Sequence, residues 1–122
     1  FNEEPKMAPR LALAFALVDD GRLQMTEFSP LQYLVNTLNS KQYQDVAEGY
    51  LIELARDTKV RQAIYPAIAR GTKDEKIQLA QVLARSGDKD SLPYVQSLST
   101  DSDTDVAQAG LRSLRTLNAR LQ

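Results

Sequence analysis

Asp101, Asp103 and Asp105 stand at the spacing that opens a calcium-binding loop. An alternating run of carboxylates can wrap a hard cation in oxygen ligands. Here the run stops short of a site. Val106 falls where the sharp turn needs glycine, and Arg112 where a bidentate glutamate is required. Asp and Ser are also the residues preferred where a helix starts, so the segment is expected to be a capping turn. Two neighbouring acidic pairs, Glu3-Glu4 and Asp19-Asp20, could do acid–base work if burial split their pKa values. Neither has a third group in sequence to converge with, and both read as solvated chain.

The chain has no cysteine and no histidine. That removes disulfides, thiolate nucleophiles, structural zinc of the usual kind, the commonest general base and the commonest transition-metal ligand. Trp is absent too, and with it the best stacking platform for a flipped base or a quaternary ammonium. The chain is therefore expected not to be an enzyme, with no catalytic residue, metal or cofactor assigned.

What remains is chemistry of contact. Arg56, Lys59, Arg61, Arg70, Lys73, Lys76 and Arg85 make the middle of the chain locally basic. Glu48, Glu53, Asp57, Asp74 and Glu75 are interleaved with them and cancel much of the potential. Among the tyrosines, Tyr50 falls on an apolar stripe and reads as core, whereas Tyr43 sits at a turn. Tyr33 and Tyr94 each follow a helix-start proline, so they are expected at equivalent positions. Tyrosine anchors interfaces well. The candidate partner-binding residues are Tyr33, Tyr43, Tyr94, Arg61 and Lys76.

These side chains must be positioned by helices. With 43% hydrophobic and 25% charged residues the chain has the composition of a folded domain, and 122 residues suffice for one. No stretch alternates over a strand's length. A first helix is expected over about 9–20, with Leu13, Leu17 and Val18 sharing a face with Ala14, stopping at Gly21. A second starts at Ser29-Pro30 and carries Leu31, Leu34, Val35 and Leu38 at i, i+3, i+4, i+7. A third covers about 42–56, with Val46, Tyr50, Leu51 and Leu54 as its stripe. A fourth covers 59–70 and stops at Gly71 as a C′ glycine. A fifth covers 74–85 with Ile77, Ala80, Leu83 and Ala84 on one side. A sixth covers 91–99, with Pro93 in its first turn. A seventh covers 104–121, with Val106, Ala109, Gly110, Ser113, Leu114 and Leu117 inward. Seven short helices on short links must stack antiparallel to bury their faces.

The last third adds a repeat signature. Leu83 with Gly87-Asp88 is followed by Leu92-Pro93-Tyr94-Val95, then by Asp101, Asp103 and Asp105, then by Val106 with Ala109, Leu111 and Leu114. This order resembles the bacterial HEAT-like repeat: a helix ending Leu-x-x-x-Gly-Asp, a Leu-Pro helix, an Asp-rich turn and a helix opening Val-x-x-Ala. Gly87 is expected to supply left-handed backbone, Pro93 to start its helix, the Asp turn to cap the next, and Ala109 and Gly110 to allow close approach. Looser echoes are Ser29-Pro30-Leu31 with Val46, and Tyr65-Pro66 with Ile77. In that family a basic residue often follows the Val and pairs with a neighbouring repeat's Asp. Ala47, Gln78 and Ala107 hold that place here, so the ladder is expected to be missing. Val60-Arg61 does match the pair, but in the other helix of the hairpin, and Pro66 is expected to kink or break that helix.

The resemblance implies an all-α superhelix, or solenoid, of about three HEAT-like hairpins plus an extra helix over residues 1–122. The beginning at Phe1 suggests a processed product or part of a longer protein. The function it implies is a non-catalytic scaffold or adaptor that binds another protein on one face. Alternatives are a nucleic-acid-backbone-binding solenoid similar to HEAT-like DNA glycosylases, an accessory similar to HEAT-like phycobilin lyases, and a capping segment of a multidomain protein. A net charge of −1 counts against nucleic acid, and the missing Cys and His count against a held tetrapyrrole. The longest apolar stretch, Leu11 to Val18, is too short to span a bilayer. The expectation is a soluble protein, cytoplasmic rather than periplasmic or secreted.

Overall fold

In a computed structural model, residues 4–21 and 29–122 are described, with side chains from Pro9 onward. All seven described helices are α, and no strand occurs among the described residues: α1 Glu4–Asp19, α2 Pro30–Thr37, α3 Gln44–Leu54, α4 Thr58–Arg70, α5 Lys73–Ser86, α6 Leu92–Leu98 and α7 Thr104–Leu121. A short 3₁₀ turn, Lys89–Ser91, leads into α6. The Glu3-Glu4 pair lies outside the described side chains.

Local signals explain the starts. Ser29 accepts from the Gln32 amide at 3.2 Å, with Pro30 opening α2. Asp57 accepts from Lys59 N–H at 2.8 Å and caps α4. Thr72 and Glu75 close a reciprocal capping box at α5. Asp103 accepts from the Asp105 and Val106 amides and caps α7, so the Asp-rich segment is a capping turn. Pro66 does not break α4, which is continuous through it. The ring only removes the donor that would have met the Gln62 carbonyl.

Two faces differ from expectation. In α1 the buried residues are Leu11, Ala14 and Val18, while Leu13 is 57% exposed. In α3 they are Ala47, Leu51 and Leu54, and Val46 is 46% exposed. Ala14 and Val18 face inward in α1 as expected, joined by Leu11 in place of Leu13, and in α3 Ala47 is buried in place of Val46. Gly87 also differs. Its φ is −71°, so it supplies no left-handed backbone. It is glycine because a Cβ there would lie 2.5 Å from the Leu83 carbonyl oxygen and 2.8 Å from Ser91 Oγ.

Helices α2/α3, α4/α5 and α6/α7 pair as hairpins, and α1 packs on α2 and α3. The odd-numbered helices form one row, in which α1 packs on α3, α3 on α5 and α5 on α7. The even row is looser: α4 meets α6 lightly, and α2 and α4 make at most a marginal contact. A small residue closes the third hairpin. At Gly110 a Cβ would lie 2.6 Å from Ser99 N and 2.7 Å from the Leu98 carbonyl carbon, so only glycine lets α7 approach the end of α6. One apolar cluster runs through all hairpins from Leu11 to Leu117. Grooves open along the even row, where the helices splay.

Candidate functional site

A groove of about 690 Å³ lies between α4 and α6 and reaches the first turn of α5. Its walls include Gln62, Tyr65, Pro66, Lys76, Tyr94 and Asp101. Tyr94 is 39% exposed, and its ring stacks on the buried Tyr65 with centroids 4.0 Å apart and planes 7° from parallel.

Beneath the stack is a polar network. Tyr65 donates to Asp90 Oδ2 at 2.5 Å, and its oxygen lies 2.7 Å from Ser91 Oγ. Arg61 meets the same Asp90 with two nitrogens, Nε to Oδ2 at 3.3 Å and Nη2 to Oδ1 at 3.2 Å. Its remaining donors go to the Ala55 carbonyl at 2.9 Å, the Arg56 carbonyl at 3.0 Å and Thr58 Oγ1 at 3.0 Å. A guanidinium has five N–H donors, and all five are occupied. Arg61 therefore fastens the end of α3, the start of α4 and the turn before α6, and its charge complements the carbonyl end of α3.

The electrostatics follow from this packing. Burial pushes the Tyr65 hydroxyl up to about 12, and its hydrogen bond to the Asp90 carboxylate adds to the rise. Burial by itself would raise Asp90, but the hydrogen bonds from Tyr65 and Arg61 outweigh it and hold the carboxyl below its usual range. Burial works against the Arg61 charge, and Asp90 overcomes it, so the guanidinium is held more firmly protonated. Ser91, Tyr65 and Asp90 have the composition of a hydroxyl relay. Ser91 is fully buried, however, and a phenol near 12 is a poor base at neutral pH. The network positions the tyrosine stack.

The rim of the groove is set by an ion pair. Lys76 Nζ lies 3.1 Å from Asp101 Oδ2, and both side chains are mostly covered. Beside it Lys73 reaches Asp105 at 2.7 Å and Asp103 at 3.7 Å. The Asp103 amide and then Lys76 hold Asp101 low, and Lys73 does the same for Asp105.

Of the five sequence candidates, the structure brings Tyr94 and Lys76 into this groove. Arg61 is 4% exposed with every donor spent, so it builds the groove from below and has nothing to offer a partner. Tyr33 and Tyr43 lie in the first hairpin, half-buried against the core, and Tyr33 is not equivalent to Tyr94. The basic stripe is dispersed, since Arg61, Lys73 and Lys76 are all engaged by carboxylates of the third hairpin. None of Ala47, Gln78 and Ala107 makes an ion pair, and other contacts join the hairpins. Arg61, on α4, makes the pair to Asp90, and Gln78, on α5, donates to Glu48 at 2.6 Å. Sequence reading passed over Tyr65, Gln62 and Asp90. The spacing of Val60, Arg61, Ile64, Tyr65 and Ile68 carries Tyr65 as a core-facing member of one stripe. Nothing local marks Asp90.

No described group of three or more His, Cys, Asp and Glu is placed to hold a metal ion. No described helix is long and apolar enough to cross a membrane. Compared with protein-family models, with curated proteins and with solved structures, the chain matches none.

Proposed function

We propose that the chain is a non-catalytic protein-binding module, a solenoid of three HEAT-like hairpins with one helix before them, that takes a partner protein in the groove between α4 and α6. The observation that carries this reading is Tyr94. A large aromatic ring stands in the open groove, and its seat is already rigid, because Tyr65 beneath it is fixed by Asp90 and Ser91. A preset anchor loses little freedom on binding, which is where protein interfaces concentrate their energy. Gln62 and Ser97 at the rim add polar groups for orientation. Two rows of helices joined by short turns support the solenoid reading, since each hairpin buries its faces only on its neighbours.

The test is affinity capture with the chain as bait, beside Tyr94→Ala and Tyr33→Ala. Circular dichroism first establishes unchanged helix content. A partner retained by the wild type and by Tyr33→Ala, and lost from Tyr94→Ala, supports the groove. Equal retention by Tyr94→Ala removes it as the binding face.

A further inference from the structure

Several of the basic side chains are held within the chain, and others stand exposed. Arg61, Lys73, Lys76 and Arg120 are engaged within the chain, Arg120 donating to the carbonyls of Ala84 and Gly87 at the end of α5. Arg85 on α5 and Arg112 on α7 are exposed and, among the described residues, make no hydrogen bond or salt bridge, although Arg85 feels the charge of Glu48. Both line a second groove, about 290 Å³, on the opposite row of helices between α3, α5 and α7. Between them the floor is Ala84, Ala109 and Ser113, short side chains that leave depth for a ligand group.

The one carboxylate facing this groove is Glu48. It accepts from Gln78 at 2.6 Å, and from the Gln81 amide at 2.9 and 3.2 Å when that amide is oriented by its hydrogen bonds. Burial, and then the charge of Asp45, raise its pKa, against the lowering effects of Arg85 and Gln78. Glu48 is thus hydrogen-bonded to α5, and it forms no salt bridge with either arginine although it lies near enough to Arg85 to feel its charge.

We propose that Arg85 and Arg112 form a site for a carboxylate side chain of an acidic partner segment. Each guanidinium offers a planar fork of donors that fits a carboxylate with two parallel hydrogen bonds. Thr116 adds a hydroxyl beside them. A nucleic-acid backbone suits the groove less well. Past α5 a continuous chain of phosphates meets Asp45 and Glu48, whereas one carboxylate needs only the α5–α7 pair. The site is separate from the tyrosine groove and does not rest on it.

The test is fluorescence anisotropy of a labelled oligoglutamate peptide at low salt with the 122-residue chain. Replacing Arg85 and Arg112 together by Gln is expected to weaken binding by about tenfold, and Glu48→Gln to tighten it by roughly threefold, the range for exposed charge pairs. Tyr94→Ala is expected to bind as the wild type. The proposal is overturned if the double variant binds unchanged, if Tyr94→Ala weakens binding as much, or if oligouridylate displaces the peptide as well as unlabelled oligoglutamate does.

Discussion

The three hairpins meet at two joints made of different materials. Between the second and third hairpins ion pairs are added to hydrogen bonds such as Tyr65 to Ser91 and Arg120 to the Ala84 carbonyl: Arg61 to Asp90, Lys73 to Asp103 and Asp105, and Lys76 to Asp101. Between the first and second the links are amides and hydroxyls. Asn39 donates to Glu75 at 2.6 Å, Thr72 donates to Asn39, Gln78 and Gln81 hold Glu48, and Ser86 donates to the Ile52 carbonyl. The same stacking of hairpins can therefore be held with or without a charge ladder. What the architecture requires is that helix-end groups find partners across the joint, since unpaired buried groups are costly. The charge at the second joint adds sensitivity to pH and a tie to the tyrosine groove.

The sharpest way to break this comparison is to cut one link at each joint. Arg61→Ala strands the Ala55 carbonyl and Asp90 at once and is expected to cost about 3 kcal/mol in urea unfolding. Gln78→Ala, at the amide joint, is expected to cost about 1 kcal/mol. Equal losses would mean that the two joints carry equivalent loads.

Next in size are two helical glycines. Gly110→Ala places a methyl against the α6 backbone and is expected to cost about 2 kcal/mol, despite the better helix propensity. Gly49 in α3 has nothing within 4 Å of an added Cβ. Gly49→Ala is expected to stabilise by between about 0.5 and 1 kcal/mol. Thermal or urea melts of both variants check whether close approach is confined to the third hairpin.

The smallest effect concerns pH, and its sign differs between the joints. The Asp90 pKa is lowered by folding, so its contribution is present above about pH 4 and is lost as pH falls through the folded value. The Glu48 pKa is raised, so its contribution is present at acid pH and is lost as pH rises through the folded value. Tyr65, raised to about 12, acts likewise at the alkaline end, with loss beginning above about pH 10. Urea unfolding across a pH series is expected to show a steep acid limb that Asp90→Asn flattens. Glu48→Gln is expected to stabilise the protein at neutral pH and to change little in acid.

Legibility in the sequence followed range. The starts of α2 and α7 were marked by Ser29-Pro30 and the Asp-rich turn, which act on amides two or three residues away, whereas the caps Asp57 and Thr72 emerged only with the structure. The inward face of α7 was legible because its pattern of Val106, Ala109, Gly110, Ser113 and Leu117 admits only one buried side. The faces of α1 and α3 were legible only in part, because apolar residues adjoin on both sides of the seam and packing buried Leu11 rather than Leu13 and Ala47 rather than Val46. Of the candidate site, Tyr94 and Lys76 could be named from their types. Their meeting in one groove with Tyr65 and Asp101 could not.

The sequence by itself determined an all-helical chain, the approximate place of its helices, and the loss of thiol and imidazole chemistry, since caps, periodicity and composition act within a turn or two of helix. The tertiary structure alone decided which cations are spent and which stay open. Arg61 finds Asp90 across 29 residues, Lys76 finds Asp101 across 25 and Arg120 reaches Ala84 across 36. Arg85 and Arg112 form no salt bridge among the described residues, although Arg85 feels the charge of Glu48. A charged side chain carries no local record of its partner, because its energy depends on what the stacking of hairpins brings within a few ångströms.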